Sequence, residues 1–382
     1  MARLEIISTT GRWLSLRDQW DDLVSFARGS VYQTTPWLLS LWEFPREDWR
    51  SPNSLWSRVD VIKRELAICF VWEGDAPVGI APFFVHRRIR CGLEIERRLR
   101  LLGEGSNHVD FVALPEKAAL VGKLVANEIL RERLADTIFL RNVPEGSPAL
   151  NAFLAELSRS GASVHESRRT DRYRTQIPST FRDFLAGLDP EDRRQYRRAS
   201  EAAERLGLTI EVASQQGTPI DVAMEATLEL HCRRWAAVQR STHLAIPQRR
   251  HHLIQSVKAF HARGWVHLAL LKQQSRMVAA WLHFFYPPTR MAYAEQTARD
   301  LNFDEFAPGK YLLTATFEHM VKARLTQCDL GGGEEYPYKR QFGRFIAYRT
   351  HSLEVTPAAR FVRPLGLAVR GLRGVRRVVQ RL

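Results

Sequence analysis

Residues 265–297 read WVHLALLKQQSRMVAAWLHFFYPPTRMAYAEQT, and the fold is decided there. Trp265 to Lys272, Met277 to Tyr286 and Met291 to Thr297 are apolar runs rich in Val, Leu, Phe and Tyr, the composition of strands. Gln273-Gln274-Ser275 and Pro287-Pro288 separate them as turns, so the stretch reads as a three-stranded meander. A polar loop, Ala298 to Ala307, leads into Pro308-Gly309-Lys310 and a helix from Tyr311 to Arg324. A further strand, Gln327 to Leu330, ends in Gly331-Gly332-Gly333.

Upstream, Thr180 or Ser179 can cap a helix through Leu185, and Asp189-Pro190 opens a longer one ended by Gly207. Leu208 to Ala213 is strand-like, Ile220 to Gln239 and Gln248 to Arg263 are helical, and Arg168 to Ile177 reads as a loop. The first part repeats the theme. Trp13 to Phe26 has helical spacing, and Thr35-Pro36 starts a helix before a loop that runs to about Val59. Leu66 to Trp72, the turn Glu73-Gly74-Asp75 and Val78 to His86 form a hairpin. Arg97 to Leu102 and Val109 to Leu114 follow as strands, then a helix from Lys117 to Leu134. Each half thus holds a hairpin whose second strand feeds the next element, which suggests a distant duplication.

A chain of 382 residues exceeds what one core usually supports. The expected division is 1–165, 166–355 and a basic tail, 356–382. With 45% hydrophobic residues and ten Trp the chain is globular and not of low complexity. The four cysteines, Cys69, Cys91, Cys232 and Cys328, are widely spaced, with no CxxC pair and no histidine at zinc-ligand spacing, so no metal is expected. Charges interrupt the N-terminal apolar residues, and no apolar run reaches a membrane span, which points to the cytoplasm.

Lys and Arg exceed Asp and Glu by 14, and half of that excess lies after Glu354, where seven arginines stand without an acid. Such a balance favours anionic partners. The tail interleaves Leu365, Leu367, Val369 and Leu372 with arginines, so it either lies on an anionic membrane face, as a peripheral protein would at the inner membrane, or docks on the protein itself. No nucleic-acid recognition motif is visible.

At Pro308-Gly309 the unpaired amides and dipole of a helix start favour an anion, Gly309 permits close backbone approach and Lys310 adds charge. A plain helix start is the competing reading. Glu295, on the strand just before, reads either as a general base or as the partner of a neighbouring Arg. Asp329, before three glycines at a strand end, reads as a base, as an acceptor-orienting group, or as a turn cap.

The series Val278-Ala279-Ala280, Tyr293-Ala294-Glu295, Ala307-Pro308-Gly309-Lys310-Tyr311, Asp329-Leu330-Gly331-Gly332-Gly333 and Tyr338-Lys339-Arg340-Gln341-Phe342-Gly343 resembles the GNAT branch associated with cellulose biosynthesis (CelD/BcsL-like). Arg193 to Arg198, Leu230-His231-Cys232-Arg233-Arg234-Trp235, Tyr32 to Trp37 and Val78 to Pro82 are similar to the same family. The resemblance implies an α/β, tandem GNAT-like fold, with two mixed sheets flanked by helices, distantly similar to FemAB-like aminoacyltransferases. It also implies an acyl-CoA donor site in the second half, formed by Ala307, Pro308, Gly309, Lys310 and Tyr311. The usual Arg/Gln-x-x-Gly-x-Gly/Ala phosphate loop is absent, so donor binding is inferred from position.

On this reading Glu295 or Asp329 takes a proton from the acceptor, Tyr338 protonates the leaving thiolate, and Lys339 holds a phosphate or an anionic acceptor. His231 and Trp235 are candidate substrate contacts, with core packing the alternative. The implied activity is transfer of an acetyl or longer acyl group from acyl-CoA to an amine or hydroxyl, in exopolysaccharide or cell-envelope biosynthesis. Two alternatives stand beside it: aminoacyl transfer from charged tRNA, and an inactive GNAT-like module that binds an envelope synthase or nucleic acid.

Overall fold

The computed structural model describes residues 2–44, 60–104, 106–214, 217–332, 339, 342 and 345–362. In chain order the elements are β1 (Ala2–Ile7), α1 (Thr10–Ser15), α2 (Arg17–Phe26), α3 (Thr35–Glu43), β2 (Asp60–Leu66), β3 (Ile68–Glu73), β4 (Ala76–Ala81), β5 (Phe83–Arg90) and β6 (Leu93–Leu101). These are followed by β7 (Val112–Ala113), α4 (Ala118–Arg131), β8 (Thr137–Pro144), α5 (Pro148–Arg159), β9 (Ser163–Gln176), α6 (Phe181–Ala186), α7 (Pro190–Arg205) and β10 (Leu208–Val212). The last are α8 (Ile220–Ala237), α9 (Pro247–His261), β11 (Val266–Gln273), β12 (Arg276–Tyr286), β13 (Met291–Arg299), α10 (Pro308–Lys322), β14 (Gln327–Gly332) and β15 (Phe345–Thr356).

Two compact units result, one from residues 1–38, 47–170 and 349–382, the other from 39–46 and 171–348. In the first, β3 and β4 form the expected hairpin beside β1 and β7, while β5 pairs with β2 and β6. The single strand expected over Val78 to His86 is divided at Pro82. Proline has no N–H for a ladder, and the chain leaves β4 there to begin β5. Helices α4 and α5 cover a core that includes Phe83, Val121, Ile138 and Phe153. At Gly79 a Cβ would stand 2.2 Å from Val121, so only glycine lets α4 approach β4 this closely. The Tyr32 to Trp37 segment laces this unit together: Trp20 donates its indole N–H to Gln33 O at 2.7 Å, and Trp37 donates to Ser106 Oγ at 2.7 Å.

In the second unit the strand order is β10, β11, β12, β13, β14, β9. The pairs are antiparallel except for β13 with β14. Thr180 caps α6, its hydroxyl accepting from the Asp183 N–H at 3.1 Å, and Pro190 opens α7. Leu312, Leu313, Phe317 and Met320 of α10 pack with Phe184, Ala269, Leu271 and Ala279 in the core. The loop expected over Arg168 to Ile177 is instead most of β9, whose Arg172 to Gln176 pair with β14. Its charged sequence hides the strand; main-chain pairing supplies it. Among the described residues no helix is long and apolar enough to cross a membrane. Residues 363–382 of the basic tail lie outside the described residues.

Candidate functional site

The site is built where β13 leaves its neighbours. Leu282 of β12 faces Gln296, and His283 faces Ala294, so Glu295 is the extra residue of a β-bulge. Bulges re-aim side chains at such positions. Glu295 is half-buried. On its other side β13 pairs in parallel with β14 only through Met291, Tyr293 and the residue between, opposite Gln327 to Asp329. Beyond Tyr293 the strand continues to Arg299 without a further partner in β14 among the described residues, so the two strands part.

Asp329 sits at the apex of this split, opposite Tyr293. Its carboxylate is 3% exposed, accepts from Arg174 Nε at 3.1 Å and Tyr348 Oη at 2.6 Å, and takes the Gly331 N–H at 2.8 Å. The Arg174 guanidinium lies 4.2 Å from the Tyr348 ring centroid. Burial, then the adjacent Asp329 charge, pushes the Tyr348 hydroxyl well above its ordinary range, so it stays a donor.

The chain then crosses to α10 through a short, pinned loop. Arg276 grips Asp300 at 2.5 Å, and Arg299 grips Asp304 through two contacts of 2.6 and 3.1 Å. Ala307 adopts a left-handed conformation, φ 54°, unusual for a residue with a Cβ. Its carbonyl accepts from both the Lys310 and Tyr311 N–H groups at 3.0 Å, so those two first-turn amides are spent inside the helix. The Gly309 carbonyl accepts from the Trp281 indole at 2.7 Å. A Cβ at Gly309 would meet only Arg299 Cδ, at 3.8 Å.

These residues enclose a cleft of about 260 Å³, lined by Trp281, Thr297, Arg299, Ala307, Gly309 and Leu313 together with Arg234, Asp304 and Lys310. Its lining is mostly apolar and includes three cations against one carboxylate. Of the residues expected to hold a donor, Ala307, Gly309 and Lys310 line this cleft. Pro308 is buried at the first helical position. Tyr311 stacks on Tyr196, centroids 5.6 Å apart, and burial raises its hydroxyl above the usual range. The Lys310 ammonium is held by Asp192 and Gln195, each at 2.6 Å, and so shapes the helix start more than it offers a free charge.

His231 is 5% exposed and spends both ring nitrogens internally: Nδ1 lies 2.8 Å from Thr297 O, and Nε2 2.8 Å from Thr242 Oγ1. Burial lowers its pKa, which keeps it neutral. It reaches the cleft through Thr297. Trp235, half-buried, lies 6.0 Å from the His231 ring, with the Arg234 guanidinium 5.2 Å from its own. Lys339 donates to the Gly332 carbonyl. Tyr338 lies outside the described residues. Sequence reasoning missed Trp281, Thr297, Arg299 and Arg234 as cleft residues. The signal for Trp281 was available: a lone indole after the small residues Ala279-Ala280.

Residues 191–340 match the model of the acetyltransferase (GNAT) domain. No curated protein matches the chain. Among solved structures it is similar to FemX, at 13% identity and a TM-score of 0.60, covering 92% of this chain and 96% of that one. It is also similar to a conserved protein of unknown function from Bacteroides thetaiotaomicron VPI-5482, at 13% identity and a TM-score of 0.50, covering 91% and 99%. A tandem GNAT protein from the clavulanic acid biosynthesis pathway aligns at 15% identity over 94% and 99%, with a TM-score of 0.48. The chain therefore has a mixed α/β fold similar to that of FemX, and its second unit contains the acetyltransferase (GNAT) domain match.

Proposed function

We propose that the protein is an acyltransferase that moves an acetyl or longer acyl group from an acyl-CoA thioester to an amine or hydroxyl. The observation that carries this reading is the parting of β13 from β14 beside a bulged Glu295, next to the cleft at the start of α10. A strand edge released from its neighbour exposes main-chain groups that an extended, amide-bearing pantetheine arm can pair with. The diphosphate end then meets the rim at Gly309, Arg234 and Arg299.

In the proposed reaction the acceptor nitrogen or oxygen attacks the thioester carbonyl carbon, and the new C–N or C–O bond forms as the C–S bond breaks. Glu295 takes the acceptor's proton, directly or through water, and Tyr338 gives one to the departing thiolate. Asp329, saturated by Arg174, Tyr348 and Gly331, acts by fixing the split, and Lys339 by holding the end of β14. The acceptor class we favour is an exopolysaccharide or cell-envelope intermediate, in keeping with the CelD/BcsL resemblance, handled at the cytoplasmic face with the basic tail on anionic lipid.

Calorimetric titration with acetyl-, medium- and long-chain acyl-CoA tests the reading. Saturable 1:1 binding that a Gly309→Phe variant loses is the expected outcome; a heat-silent, folded wild type refutes it. Aminoacyl transfer from charged tRNA is the second reading, favoured by the excess of 14 positive charges. It is selected if product forms only with charged tRNA.

A further inference from the structure

A second, larger cleft of about 670 Å³ adjoins the first and shares Arg234 and Arg299 with it. Its remaining walls come from α8, the β11–β12 turn and the loop after β13. They contribute Arg233, Arg276, Glu229 and Asp300, the polar Ser275 and Asn302, and an apolar strip of Ala226, Leu230, Ala237, Met277 and Leu301. Four guanidiniums face two carboxylates. Arg276 is fixed by Asp300, and Arg299 by Asp304 outside this lining, so two cations are locked in place. Arg233 projects exposed from the same wall.

This lining has the chemistry of a site for a phosphate ester with an apolar or ring-shaped body: fork-shaped donors for the anion and a hydrophobic strip for what carries it. Its position sets it beside the thioester path, with Arg234 and Arg299 common to both clefts. The split that admits the donor opens on the β14 side of β13, whereas this cleft is bounded by the first residues of β12, on the opposite side. Glu295 lies four residues back along β13 from Arg299, on the order of 13 Å. A molecule anchored by phosphate at one end can reach the bulge with the other.

We propose that the arginine-lined cleft binds the acceptor, and that the acceptor is a phosphate-bearing molecule; this rests on reading the neighbouring cleft as the thioester site. Inorganic pyrophosphate is the probe. Titrated calorimetrically into the full chain, it should bind 1:1, and Arg233→Ala should weaken it at least tenfold. Arg205→Ala, which removes an equal charge from an exposed position on α7, should leave it within twofold. Pyrophosphate should still bind to protein saturated with acetyl-CoA, more weakly than to the free protein because Arg234 and Arg299 line both clefts. Absence of saturable binding, equal losses in the two variants, or competitive displacement by acetyl-CoA each overturns the proposal. Should acetyl-CoA fail to bind while Arg233-dependent pyrophosphate binding persists, the phosphate site stands and the donor reading alone falls.

Discussion

Replacing Asp329 separates a structural carboxylate from a chemical one. Its side chain is 3% exposed and accepts three hydrogen bonds, from Arg174, Tyr348 and the Gly331 N–H. Asp329→Ala strands all three donors, and the Arg174 charge, 28% exposed, loses its partner. Removing one member of a buried pair costs about 3–5 kcal/mol. Asp329→Asn keeps the shape but turns an amide N–H₂ toward a donor, a loss of about 2 kcal/mol. At roughly 2–4 °C per kcal/mol for a unit of this size, the alanine variant should melt about 10 °C below wild type and the asparagine variant about 5 °C below. Thermal unfolding followed by near-ultraviolet circular dichroism, with urea titration for the free energy, measures both. An Arg174→Gln/Asp329→Asn double-mutant cycle should give a coupling of about 1–3 kcal/mol. If Asp329→Asn unfolds within about 0.5 kcal/mol of wild type yet abolishes acyl transfer, the reasoning is refuted and Asp329 belongs to the chemistry.

Gly309→Ala should fold normally, because its Cβ meets only Arg299 Cδ at 3.8 Å, and should raise the melting temperature slightly through helix propensity; a large destabilisation would show the helix start to be misread. Lys310→Met should cost about 1–3 kcal/mol by unpairing Asp192, seen by urea titration, while changing acetyl-CoA affinity less than threefold in calorimetry. Acid should unfold the second unit early. His267, held near pKa 3 by burial and by its neighbour His319, and His283, held well below the ordinary value by burial and by His267, are neutral when folded and protonate near 6.5 when unfolded. The His267 contribution is complete above pH 6.5 and is lost as pH falls toward 3, removing about 2 kcal/mol at pH 5, and His283 acts in the same direction. His283→Phe should flatten that dependence in urea titrations between pH 7 and 5, and an unchanged slope would exclude the histidine as its source.

The meander was legible because its apolar runs and turn residues are local signals: β11, β12 and β13 fall within two residues of their expected limits. Strand β9 was not, because a run such as Ser167-Arg168-Arg169-Thr170-Asp171-Arg172 offers no apolar alternation, and its pairing with β14 lies about 155 residues away. The same separation hid the site's anchors. Lys310 looks like a phosphate ligand from its place beside Gly309, yet Asp192, 118 residues earlier, holds it. Charge type is written in the sequence, whereas the partner that spends the charge is set by tertiary packing. His231 follows the same rule, its apparent availability on α8 ending at Thr297 and Thr242.

On the proposed reading, the loop before α10 accounts for a donor site without the glycine-rich signature. Such a signature works when first-turn amides are free to cradle a phosphate and the backbone must turn through left-handed conformations. Here Ala307 makes the left-handed turn despite its Cβ, held by the grip of Arg299 on Asp304, Lys310 on Asp192 and Trp281 on Gly309. That turn directs the Lys310 and Tyr311 amides onto the Ala307 carbonyl. If the two clefts bind anions as proposed, recognition passes from backbone amides to guanidiniums, whose five-donor forks replace what the amides no longer offer.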